Sequence, residues 1–348
     1  MSSRSGKVRA ARLTDLAALG ELSRLCQSDQ PDTRSLGLPV SGRPIGVFSL
    51  FRLPLGAFRP HDLLYVYEED GRLAGLLRVE REPHRDEWTI VELDAIGSQD
   101  AGDIRFRLIQ HLLRDGPRRG AMRFHVACAD ADGNVELFMQ AGFARYGEEL
   151  VLFRPSDPAL PEPMSDEETQ ECGIRPSLPV DALALARLYA AATPQPVQRL
   201  EAYRLTDWER QGSTWRVPRS SLTPILRFAD VEAYVQEAPG GGRDGTLLQA
   251  FLQVAVAKED QPHYLKVVAQ PGIAIESLAR FGLGVIAARL RGGGHRPDHG
   301  VIAAVRTYES PIDRGLEGVG FHSVSTVTLL MKEMMIRVAE PALVPAVR

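Results

Sequence analysis

The chain is poor in several features that define large protein classes. Its three cysteines, Cys26, Cys128 and Cys172, show no CxxC spacing, which argues against a disulfide framework or a thiolate zinc site. Long apolar runs are missing too: even Val324 to Met331, broken by Ser325, Thr326 and Thr328, is far short of the roughly 20 residues that cross a bilayer as a helix. The opening MSSRSGKVRA lacks the apolar core of a signal peptide, so the expected location is cytoplasmic. Nor is there an excess of one charge. The formal net charge is -4, and residues 155–171 hold six acidic side chains and no basic one, which leaves +2 for the rest. A nearly neutral remainder offers no footprint for nucleic acid or an anionic membrane, and neither is expected as a partner.

What is present is the composition of a globular protein, 44% apolar and 25% charged. At 348 residues the chain exceeds the ~250 to 300 that one core ordinarily serves, so two domains are expected. The stretch Pro155 to Glu171 is rich in proline and acid without apolar periodicity and reads as a semi-rigid linker. It divides the chain into an N-terminal domain, 1–154, a linker, 155–172, and a C-terminal domain, 173–348.

The two sides repeat one another. Val8-Arg9, Asp15, Leu16, Leu19 and Leu22 are matched, at a constant offset of 166, by Ile174-Arg175, Asp181, Ala182, Leu185 and Leu188. Each half thus opens with a short strand and an Asp-capped helix with apolar residues at helical spacing. Near each end, Gln140-Ala-Gly-Phe143 with a strand over 149–153 is echoed, at an offset of 178, by Gly318-Val-Gly-Phe321 with a strand over 324–331. Between these echoes the first half predicts strands at 63–67 and 73–81 joined by an Asp70-Gly71 hairpin turn, a strand at 88–95, a helix at 101–113, a strand at 122–127 and a short helix at 133–140. The second half predicts strands at 231–237, 247–257 and 263–269, a helix at 275–290, a strand at 300–306 and a helix at 311–317.

This order, twice over, resembles the GNAT superfamily of acyl-CoA-dependent N-acetyltransferases. Asn134-x-x-Leu-Phe-Met-Gln-Ala-Gly142-Phe143 is similar to the family's closing signature, and Tyr308 through Gly320-Phe321 takes that part in the second half. The resemblance implies an α+β fold of two tandem GNAT-like domains, each a mixed, mostly antiparallel sheet of six to seven strands flanked by helices and closed by a final hairpin. It implies that the fourth strand splays from the fifth and that the pantetheine arm of acetyl-CoA, or another acyl-CoA, lies in the gap. The pyrophosphate would rest on the next helix N-terminus, where free amide hydrogens and the helix dipole favour phosphate. Gln99-Asp-Ala-Gly102-Asp-Ile104 matches the family's phosphate loop at Gln99 and Gly102, and departs from it at Ile104 and with the acids Asp100 and Asp103. Arg105 and Arg107 can offset those acids. Contacts to the cofactor are expected from Ile96, Gln99, Gly102, Arg105 and Asn134. Residues 270–278 have no glycine pair, so any cofactor site is expected in the N-terminal domain.

Acyl transfer to an amine needs a base and usually an acid. The family often supplies a Glu on the fourth strand and a Tyr four residues before the closing Gly. Glu92 falls on the predicted strand 88–95 and is the candidate base, although such a carboxylate serves equally well as the partner of an arginine. The tyrosine positions hold Phe138 and Leu316, which donate no proton. His295 and His299 have the i, i+4 spacing of a metal pair but lie among glycines and a proline, so no metal is expected. Two functions stay open: an acyltransferase acting on a small-molecule or peptide amine, in a chain compatible with a homodimer, or a non-catalytic tandem that binds a ligand or a protein.

Overall fold

The computed structural model describes residues 6–29, 39–40, 43–44, 62–82, 85–96, 101–129, 133–156, 159–209, 217–224, 226, 228–238, 247–258, 261–292 and 298–334. In chain order the first half forms β1 (Lys7–Ala10), α1 (Leu16–Asp29), β2 (Asp62–Glu69), β3 (Arg72–Arg81), β4 (Glu87–Ala95), α2 (Ala101–Asp115), β5 (Arg123–Ala129), α3 (Asn134–Gln140) and β6 (Ala144–Arg154). The second half forms α4 (Asp166–Glu171), β7 (Ile174–Pro176), α5 (Ala182–Ala192), α6 (Gln195–Glu201), α7 (Leu205–Trp208), β8 (Phe228–Glu237), β9 (Leu248–Ala257), β10 (His263–Ala269), α8 (Ile275–Gly292), β11 (Val301–Arg306), α9 (Ser310–Glu317) and β12 (His322–Glu333). A separate ribbon pairs Pro39–Val40 with Arg43–Pro44. Among the described residues no helix is long and apolar enough to cross a membrane.

Local chemistry explains the repeated openings. Asp15 and Asp181 each sit in a short 3-10 turn before the helix. They do not accept from the helix itself. Each carboxylate accepts the backbone N–H three residues earlier, from Arg12 at 2.7 Å and Leu178 at 2.8 Å, and both terminal nitrogens of an arginine on the preceding strand, Arg9 or Arg175. The bidentate pair fixes strand to helix, because planar guanidinium and carboxylate groups match in two bonds. The β2–β3 turn places Asp70 at φ 49° and Gly71 at φ 75°, both positive as a tight hairpin of matching twist requires.

The expectation of two sheets is corrected. The twelve strands form one sheet in the order β1-β2-β3-β4-β5-β12-β6-β11-β10-β9-β8-β7. Neither half closes with its own hairpin; each supplies one long strand after its short helix, and the two strands cross over. β12 lies between β5 and β6, and β6 between β12 and β11. A final strand left at an edge would expose unpaired backbone groups, and this exchange pairs both sides of both. The exchange is two-fold in character. At the 178-residue offset, Phe153 corresponds to Met331 and Ala144 to His322, and the β6–β12 register pairs His322 with Phe153 and Met331 with Ala144.

One face of the sheet carries α2 and α3 in the first half and α8 and α9 in the second, over cores that include Trp88, Leu108 and Phe124, and Leu265, Leu283 and Leu316. The opposite face carries α1 and α5, and near the middle the segment 217–224 and Leu226, of which Leu222 and Leu226 pack on Val151, Tyr264 and Ile302. The stretch expected as a linker is docked on the second half. Leu160 and Met164 join its core, and Ser165 and Glu168 form a capping box that starts α4.

Candidate functional site

Both halves contain one parallel strand pair, and in both that pair opens into a fork. β4 and β5 run in register from Glu87–Arg123 to Ile90–Val126 and then part, although β4 continues to Ala95 and β5 to Ala129. β10 and β11 are paired from His263–Val301 to Leu265–Ala303 and then part in the same way.

The two forks differ in what fills them. In the first half the residue past the last pair is Val91, and it is bulged: β3 pairs Val79 with Ile90 but Arg78 with Glu92, leaving Val91 without a partner in that ladder. A bulge bends its strand and frees backbone groups, and such bulges gather beside functional sites. In the second half the register of β9 and β10 is unbroken, and the residue past the last pair is Lys266. Its ammonium donates to the Ala304 carbonyl on the other branch at 3.2 Å and lies 3.5 Å from Glu309. A buried lysine therefore bridges the second fork.

The helices that follow the forks differ likewise. A Cβ placed on Gly102, in the first turn of α2, would meet no described atom within 4 Å, whereas the first turn of α8 is covered by α9, where a Cβ on Gly315 would fall 2.4 Å from Ile275 Cβ. Asp103 is ion-paired with Arg107 at 2.7 Å on the helix surface. Arg105 Nη1 donates to Asn134 Oδ1 at 2.8 Å, so these two expected contacts come together between α2 and α3. The Ile96 N–H donates to the Ala74 carbonyl at 2.9 Å, which leaves the end of β4 tied to β3. Gln99 and Asp100 lie outside the described residues, as does His295. Glu92 is buried and accepts from Arg78 Nε at 2.9 Å. The tyrosine positions, Phe138 and Leu316, are buried in the two cores.

On the face away from α2 the first fork opens into a pocket lined by Thr89, Ile90 and Val91 of β4, His125, Val126 and Ala127 of β5, Tyr146, Leu329 and the segment around Arg219. A second hollow shares Thr89, Arg219, Ser220 and Pro224 and adds Glu80 and Glu82. Glu92 lines neither. The segment 217–224 belongs to the second half, so both halves build this site.

Ion pairs hold that segment down. Arg219 donates to Thr89 Oγ1 at 2.9 Å, Glu82 at 2.7 Å and Glu87 at 2.5 Å, and its own N–H donates to Tyr203 Oη at 2.6 Å. Arg85 bonds to both Glu87 and Asp207. Arg306 lies 3.2 Å from Glu149, donates to Glu201 at 2.9 Å and to the Arg219 carbonyl at 2.8 Å. Burial would raise the Glu87 carboxyl, but His125, Arg219 and Arg85 outweigh it and hold the group well below the usual carboxylate range. The five carboxylates, Glu82, Glu87, Glu149, Glu201 and Asp207, outnumber the three buried guanidiniums of Arg85, Arg219 and Arg306. These carboxylates lie behind the main pocket, whose one charged lining residue is Arg219, while Glu80 and Glu82 line the second hollow.

His125 was not singled out by the sequence reading. It alternates with Phe124 and Val126, which enter the α2 core, so by the period of two it faces the other way, into the pocket. That alternation was the available signal. The ring is 2% exposed. Neither of its nitrogens has a hydrogen-bond partner among the described residues; Nε2 lies 3.5 Å from Glu87 Oε2, and the ring meets Tyr146 edge-on at 6.3 Å. Burial, with Arg219 adding to it, lowers the imidazole to about 4 against the pull of Glu87.

The forked parallel pair in each half, with a helix after each fork, defines a tandem GNAT fold, and comparison with solved structures agrees. The chain is similar to a tandem GNAT protein from the clavulanic acid biosynthesis pathway, at 14% identity and a TM-score of 0.56, over 94% of this chain and 98% of that one. It is similar to a GCN5-related N-acetyltransferase from Sphaerobacter thermophilus at 16% identity and a TM-score of 0.53, over 96% of each chain. A GCN5-related glucosamine N-acetyltransferase region of a fungal multi-domain β-N-acetylglucosaminidase gives 13% and 0.52, over 95% of this chain and 38% of that one. No family model and no curated protein matches the sequence. At these identities the likeness is one of fold.

Proposed function

We propose that the chain is an acyl-CoA-dependent N-acyltransferase with a single transfer centre, at the fork between β4 and β5. One observation carries this reading: a pocket built by both halves sits at the bulged fork, while the other fork is bridged by Lys266. The residues present fit a pantetheine thioester. The fork offers unpaired backbone beside Val91, and open space at Gly102 leaves room for phosphate at the start of α2. Gly102, Arg105, Asn134 and Gln99 would hold the nucleotide end, and Ile96 and the bulged strand would hold the arm. When bound, the thioester supplies an activated acyl carbon.

The chain's own groups do the rest. The amine would enter past Glu80 and Glu82 of the second hollow and meet the thioester at the fork as the free base. The apolar side chains of Val91 and Leu329 beside the fork exclude water. Glu92, the carboxylate that the resemblance marks as base, is engaged by Arg78; its contribution is read from Glu92→Gln. Phe138 and Leu316 supply no acid, which favours a second reading in which the fold binds an acyl-CoA or another ligand without turnover.

Calorimetric titration with acetyl-CoA tests the proposal. One equivalent per chain is expected, and Gly102→Trp should abolish binding by filling the open space at α2. Two equivalents, or binding indifferent to Gly102→Trp, would move the site elsewhere. Binding without amine-dependent thiol release would leave the second reading.

A further inference from the structure

A buried polar group almost always has a partner, so a buried imidazole that lines a cavity with Glu87 beside Nε2 and no partner on Nδ1 among the described residues asks for one at Nδ1. His125 is such a group, and it sits one residue before the point where β4 and β5 part, at Ile90–Val126. We propose that His125 is the catalytic base of the acyl transfer and that Glu87 is the positioning residue that fixes its ring. This rests on the acyltransferase reading above. With ionised Glu87 3.5 Å from Nε2, the proton belongs on Nε2 and the lone pair on Nδ1. Glu87 is itself held by Arg85, Arg123 and Arg219, so it stays an anion and orients the ring without taking the proton away. The groups facing His125 are Glu87 from β4, Arg219 and Arg85 from the loops, Tyr146 from β6 and, in register on β12, Met331.

The proton balance closes on one residue. A free amine attacks the thioester carbonyl; as the C–N bond forms and the C–S bond breaks, His125 takes one N–H proton and returns it to the departing sulfur. The products are an amide and a thiol, and the imidazole is neutral again. This ring covers both proton transfers, and so supplies the acid that Phe138 and Leu316 cannot.

The test uses the full chain, acetyl-CoA and hydroxylamine as a small probe amine, reading thiol release above the enzyme-free rate. His125→Gln should lower kcat on the order of 10²-fold while the acetyl-CoA Kd measured by calorimetry stays put. A His125→Gln rate equal to wild type overturns the assignment, as does a large loss confined to Glu92→Gln. Acetyl-CoA bound by the wild type with no acceleration of hydroxylamine overturns it too. If the wild type fails to bind acetyl-CoA, the acyltransferase reading falls first and this falls with it. A second measurement stands apart from activity: nitrogen NMR of the ¹⁵N-labelled chain at pH 7 should show the His125 ring neutral with hydrogen on Nε2, turning to a mixture of tautomers in Glu87→Gln. Hydrogen on Nδ1 in the wild type would overturn the arrangement.

Discussion

At the scale of single residues, His125 sets a pH dependence that stability measurements can read. Its folded value near 4 lies below the ordinary 6.5, so between those values the unfolded chain holds a proton that the folded chain refuses. The folded state is therefore at full advantage above pH 6.5 and loses it as pH falls toward 4. At about 1.4 kcal/mol per unit, the loss attributable to this ring reaches about 2 kcal/mol by pH 5. Urea unfolding of wild type and His125→Gln at pH 7 and pH 5 should show the variant gaining that much relative to wild type on acidification; parallel losses in both would show that the ring is not the source. Glu87 acts lower on the scale. Its depressed carboxyl contributes above its ordinary value of 4.5, and that contribution disappears only as the pH drops through the folded value.

The next scale is the element, and here the forks carry most of the difference between the halves. Lys266 and Glu309 are both buried, so the pair returns little net energy while the loss of one partner strands the other. Lys266→Met should cost about 3 to 5 kcal/mol, and adding Glu309→Leu should recover most of it. A double variant as unstable as the single one would mean that the ammonium's bond to Ala304 matters more than the charge pair. Much at this scale was legible in the sequence: apolar periodicity and the Asp70-Gly71 turn placed the strands of the large sheet and the helices α1, α2, α3, α5, α8 and α9 within a few residues of where they lie, whereas α4, α6 and α7 gave no such pattern. The forks' contents were not. A bulge at Val91 depends on the register with β3, and the bridge from Lys266 to Ala304 joins strands 38 residues apart, which no local pattern encodes. Glu92 and Arg78 likewise meet only through sheet pairing, and His125 reads as one polar residue in an apolar strand until Glu87 and Arg219 surround it.

For the whole molecule, the repeat legible in the sequence concealed the strand exchange, since an offset of 178 reports equivalence between strands and not which strands they pair with. β6 has only second-half neighbours, β12 and β11, and β12 has only first-half neighbours, β5 and β6. The halves are consequently expected to fold together rather than singly. A fragment ending at residue 156 would present β6 with both edges bare, and a fragment starting at 157 would do the same with β12. Bare edges of apolar strands such as these recruit other chains, so each fragment expressed alone should aggregate. Expressed together as two chains, they should assemble one to one, because the β6–β12 pairing and the ion pairs from Arg219 to Glu82 and Glu87 and from Arg85 to Asp207 all cross the cut. Co-purification of the two fragments through a tag on one of them measures this directly. A first-half fragment that is soluble, monomeric and cooperatively folded on its own would show that the exchange is dispensable, and would remove the argument that the second half completes the pocket at the first fork.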